Sequence, residues 1–141
     1  MIAFEVKSWG RPVTFWTLLA DGSGSWTEAV TPEGAPTDEY VLVWHEFAAG
    51  DDGYAQVTNI LSRLPDPAPA YDDCANPMTD LPYGTIRLTR GATTLEIAWN
   101  SGCMDENYRA FMDTLKAADT LVGGWGRAAK VLRSEVAPSS P

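Results

Sequence analysis

Few residues in this chain can do covalent or acid–base chemistry: Cys74 and Cys103 are the only cysteines, and His45 is the only histidine. Neither cysteine lies in an apolar run. Both fall in loops at the same end of one β-hairpin, residues 84–99, so they read as a disulfide, as two ordinary thiols or as a pair holding a reactive nucleophile. A bridge would close a loop of about 29 residues, which the chain-entropy treatment values at roughly 3.6 kcal/mol. The sequence has no Cys-x-x-Cys, and two cysteines with one histidine fall short of a four-ligand zinc site. Any imidazole mechanism at neutral pH runs through His45. Its neighbour Glu46 points to the opposite face of a strand, so spacing alone gives it no carboxylate partner, and a partly exposed strand histidine is the plain expectation.

Acidic doublets stand at Asp51-Asp52, Asp72-Asp73 and Asp105-Glu106. The first and third sit where helices are expected to begin, and there carboxylates meet the helix dipole favourably. Asp72-Asp73 falls in a loop and lacks the alternating oxygen spacing of a calcium loop, as does Asp21-Gly22-Ser23-Gly24. The glycines at 22–24 join two strands and those at 123–126 follow a helix, so both read as turns rather than phosphate cradles. No catalytic set, metal site or cofactor is predicted. Six tryptophans, Trp9, Trp16, Trp26, Trp44, Trp99 and Trp125, exceed the needs of one core. Trp9 and Trp26 lie near turns of the first strands, where they either cap the open end of the sheet or stand exposed as binding anchors, with Tyr71, Asp72 and Asp73 as companions in the longest loop.

The elements that must position these residues follow from periodicity. Residues 1–7 alternate as a strand, and 8–12 supply a turn before a second strand at 13–20. Asp21-Gly22 reverses the chain into a third strand at 25–30. In the second strand Val13, Phe15 and Leu19 face one way and Trp16 and Leu18 the other, which predicts cover on both faces. Residues 31–38 are a loop, and 39–47 a fourth strand. Tyr54, Val57, Ile60, Leu61 and Leu64 then predict a helix of about fourteen residues ending before Pro65. The segment 65–82 carries five prolines and four aspartates with no period of its own, an unusually long loop for a compact domain. Strands at 84–90 and 93–99 form the second hairpin, with Ile86 and Leu88 facing Leu95, Ile97 and Trp99. A long helix follows, capped by Asp105 or Ser101 and striped by Tyr108, Phe111, Met112, Leu115, Ala118 and Val122. Gly123-Gly124 is expected to stop or bend it, leaving a shorter amphipathic piece at 125–136.

The fold class is therefore α+β: a single domain over 1–136 with an antiparallel sheet of about six strands, helices on one face, and a frayed tail at 137–141. At 141 residues the chain can bury roughly 68% of its unfolded surface. Ten basic against nineteen acidic residues give a net charge of −9, which repels nucleic acid and anionic membranes and suits a basic partner. The longest apolar runs are far below the roughly 18 residues of a membrane-spanning helix. Residues 1–7 lack the features of a secretory signal, which as written means the cytoplasm; a disulfide in a mature form would mean the periplasm or outside the cell. The leading expectation is a non-catalytic binding protein, an inhibitor, immunity-type factor or accessory subunit that meets a protein through an aromatic and acidic surface. Two alternatives stand beside it: a binder of a small molecule or nucleotide in a tryptophan-lined pocket, and a hydrolase using His45.

Overall fold

The computed structural model describes residues 1–36 and 39–136. The strands are β1 (Ile2–Ser8), β2 (Arg11–Leu18), β3 (Ser23–Val30), β4 (Val41–Ala48), β5 (Tyr83–Arg90), β6 (Thr93–Asn100) and β7 (Val131–Val136). Two helices, α1 (Gly50–Leu61) and α2 (Glu106–Ala128), and one 3-10 turn at Tyr71–Asp73 complete the described elements. All seven strands form one antiparallel sheet in the order β6-β5-β1-β2-β3-β4-β7. The predicted α+β class is borne out, with seven strands in place of six. The frayed tail expected at 137–141 lies outside the described residues.

Side chains in register across the sheet explain the core. Ile97, Ile86, Phe4, Trp16, Trp26 and His45 occupy successive cross-strand positions on one face. Phe4 stacks between Trp16 and Trp99, with ring centroids 5.6 and 5.4 Å away. The helices cover this face, and the stripe read from the α2 sequence is buried in full: Tyr108, Phe111, Met112, Leu115, Ala118 and Val122. Each large side chain so buried contributes about 1.5–3 kcal/mol. Trp16 donates its indole N–H to Asp119 Oδ1 at 3.0 Å, and burial raises the Asp119 pKa, which that hydrogen bond and Arg127 partly counter.

The opposite face is the more exposed one, with Arg87 paired to Glu96 at 2.9 Å and Lys7 to Glu5 at 3.4 Å, although Thr27 is fully buried on it between Phe15 and Trp44. The expectation that β2 is covered on both faces is thereby corrected: Val13 and Leu19 are exposed and Phe15 is only half-buried.

The C-terminal quarter also departs from the sequence reading. Gly123 and Gly124 do not stop α2, which continues to Ala128, and residues 131–136 form an edge strand rather than an amphipathic helical piece. The glycine that serves packing is Gly126, not Gly124, which has open space around it. A Cβ on Gly126 would collide with the Cβ and indole of Trp26, so α2 approaches β3 closely only because that position is bare. The strand then forms because β4 offers it an open edge.

Candidate functional site

The β1–β2 connection is two residues long, Trp9-Gly10, with φ of 54° and 75°. Two positive φ values at the centre of a two-residue hairpin are the type I′ geometry, for which Asn-Gly is preferred and a bulky first residue is costly. Trp9 is nevertheless there, and 75% exposed. Core packing therefore does not account for its placement. The turn is tied down by Gly10, whose N–H donates to the Tyr83 hydroxyl at 3.0 Å.

Facing Trp9 is the 65–82 segment, which is a bound strap rather than a loose loop. Cys74 and Cys103 are joined in a disulfide, Cα–Cα 5.9 Å, so the first of the three cysteine readings holds. The segment was expected to lack other support, and here the structure corrects the sequence. Pro77 and Cys103 form an isolated β-bridge, Met78 N–H donates to Gly102 O at 2.6 Å, and Met104 N–H to Asn76 O at 3.0 Å. The Tyr71 hydroxyl donates to Met78 O at 3.2 Å, and Ser101 N–H donates to Pro82 O at 2.9 Å.

Asp105 stands at the N-cap of α2 as anticipated, but its carboxylate makes no cap. It accepts instead from Ala75 N–H at 2.8 Å, Asn76 N–H at 3.0 Å and Asn76 Nδ2 at 2.8 Å. The Ala75 and Asn76 donors hold its pKa below the ordinary aspartate value. Its oxygen also lies within 4.8 Å of both cysteine sulfurs, which are occupied with each other and offer a metal no thiolates.

Where the strap meets the β1–β2 turn, a cleft of about 270 Å³ is lined by Trp9, Tyr71, Met78, Asp80, Leu81 and Tyr83, among others. Among the described residues, Trp9 and Asp80 are the two non-glycine positions with positive φ, and both line this cleft. Left-handed backbone in non-glycine residues gathers at functional sites more than elsewhere. On its other side Trp9 borders a cleft of about 570 Å³ with Arg11, Pro12, Val13 and Tyr40. Tyr71 and Tyr83 further line a larger cleft of about 930 Å³ between the strap and the second hairpin, whose apolar wall includes Leu64, Leu88, Leu95, Ile97 and Trp99. Carboxylates of Glu5, Asp66, Asp72 and Glu96 stand around it, with Lys7 as a single cation.

The structure thus brings Trp9 and Tyr71 together, with Asp72 on the adjoining cleft and Asp73 exposed in the same 3-10 turn. It does not place Trp26 with them. Trp26 is 1% exposed, set mid-strand in β3 under α2, with the Arg127 guanidinium 4.9 Å from its ring centroid. The sequence reading began β3 two residues late and so placed Trp26 beside the turn. Missed altogether were Met78, Asp80 and Tyr83; no spacing singles them out, because the strap's path decides their neighbours.

His45 is buried, not partly exposed. Its Nδ1 donates to Ala129 O at 3.0 Å, its ring lies against Trp26 at 5.3 Å, and Nε2 has no partner among the described residues. Of the tryptophans among the described residues, Trp99 lines the large cleft and Trp9 the two smaller ones. No helix among the described residues is long and apolar enough to cross a membrane. Comparison with protein-family models, with curated proteins and with solved structures gives no match for this chain.

Proposed function

We propose that this protein is a non-catalytic binding protein that docks a protein partner at the Trp9 end of the sheet, in the manner of an inhibitor, an immunity-type factor or an accessory subunit. One observation carries the reading: a tryptophan three-quarters exposed in a turn geometry that disfavours it, facing a strapped cleft. Tryptophan anchors dominate the energetics of protein interfaces. The strap adds Asp66, Asp72, Asp73 and Asp80 and no Lys or Arg, so together with the net charge of −9 it favours a partner with a basic face. The disulfide suits an oxidising compartment.

The test compares wild-type protein and Trp9→Asn as baits in native lysate of the source cells. A basic protein retained in stoichiometric amount by wild type and lost with Trp9→Asn supports the reading. Equal capture by both baits, or no specific protein with either, overturns it.

A second reading rests on the 930 Å³ cleft, which has the size and apolar lining of a small-molecule site. Trp99 lends the cleft an aromatic surface on which a planar ligand could stack. Its acidic rim disfavours nucleotides. A small molecule that co-purifies, and is released by Ile97→Trp but kept by Trp9→Asn, would favour this reading over the first.

A further inference from the structure

Strand β7 is an edge of the sheet, and nothing among the described residues pairs with its outer side. All six of its residues are exposed, and Val131, Leu132 and Val136 are each more than half exposed. Long apolar edges are normally blunted by proline, inward-pointing charge or a covering element, because their free N–H and C=O groups template pairing with another chain. β7 carries no proline. It carries instead a chemical palindrome: Leu132-Arg133-Ser134-Glu135-Val136 reads apolar, basic, small, acidic, apolar. A twofold axis through Ser134 of an antiparallel pair sets Arg133 against Glu135 of the second copy, twice, and Leu132 against Val136, twice.

We propose that β7 is a self-recognition edge, occupied by β7 of a second copy of this chain in that register, which joins two seven-stranded sheets into one. The charges are placed for it. The Arg133 guanidinium is held 4.4 Å over the Trp44 ring on the neighbouring strand, and Glu135 has no ion-pair partner among the described residues. The other edge, β6, lacks this pattern. Its one charged residue, Glu96, is already paired with Arg87 on β5, and antiparallel self-pairing about it would oppose two carboxylates. The dimer leaves the Trp9 cleft free, since β3 and β4 lie between β2 and β7, so this inference stands apart from the proposed docking role.

Sedimentation velocity on the full chain, from about 1 µM to about 1 mM, brackets the affinity of an interface this small. A dimer that forms with rising concentration is expected. Each reversal, Arg133→Glu or Glu135→Arg, should weaken it about tenfold, because two symmetric pairs turn repulsive at once. The double variant R133E/E135R should return to within about threefold of wild type. Glu135→Arg leaves the Trp44 stacking intact, so it stays informative if loss of Arg133 disturbs the edge. Under mild oxidation Ser134→Cys should cross-link as a dimer and Leu132→Cys should not. A monomer at every concentration, single reversals without effect, a double variant that fails to recover, or cross-linking at Leu132→Cys instead would each overturn the proposal.

Discussion

At the scale of single residues, two positions oppose local preference, and each opposition has a consequence that can be measured. Trp9 occupies a left-handed turn position that Asn would fill at lower cost. Trp9→Asn should therefore stabilise the isolated protein by about 1 kcal/mol, a rise near 3 °C in thermal unfolding, even as it removes the exposed anchor. A fall in melting temperature would mean that the indole packs for stability. Two of the three glycines of α2, Gly126 and Gly124, make a matched pair. Gly126→Ala drives a methyl into Trp26 and should cost about 2 kcal/mol, whereas Gly124, with open space where its Cβ would stand, should gain about 1 kcal/mol as alanine. Opposite shifts in chemical denaturation are the expected result. The sequence contained the signal: Gly126 falls four residues after Val122, on the continuation of the buried stripe, so it marked close approach rather than a helix stop.

At the scale of elements, the strap is where separate ties converge. Removing the disulfide with Cys74→Ser and Cys103→Ser together should cost about 3.6 kcal/mol if chain entropy governs, read as a lower denaturant midpoint with a steeper slope, since the uncrosslinked unfolded chain exposes more surface. The carboxylate of Asp105 adds a tie that depends on pH. Its folded pKa is depressed by the Ala75 and Asn76 donors, so its stabilisation is complete above the unfolded value of about 3.9 and is lost as pH falls through the folded value. The gap in melting temperature between wild type and Asp105→Ala should thus be widest at neutral pH and close as pH drops below about 4. A gap independent of pH would remove the carboxylate from the account. The second hairpin was legible to within one residue at its open end, and the shared face of Ile86, Leu88, Leu95, Ile97 and Trp99 is as alternation requires. The strap was not legible, because its conformation is set by partners at 101–105 rather than by any period of its own.

At the scale of the whole molecule, charge and topology set how the protein meets others. With a net charge of −9 and an aspartate-bearing strap, association with a basic partner should be steered electrostatically. Its on-rate should fall by at least tenfold between low salt and about 0.5 M, while the off-rate changes less. An on-rate indifferent to salt would assign the docking to the aromatic patch alone.

What the sequence determined by itself was whatever repeats with a local period: the class of fold, the inward faces of the second hairpin and α2, and the loops that carry the cysteines. Those features depend on which side of a helix or strand is apolar, and residue spacing states that directly. The tertiary structure decided the rest. It buried Trp26 and His45 under α2, drew residues 131–136 out of a helical reading into an edge strand beside β4, and turned the Asp105 carboxylate from its own helix to the strap. In each case the deciding partner lies far away along the chain, so the free energy that fixes the conformation belongs to a contact no local pattern encodes.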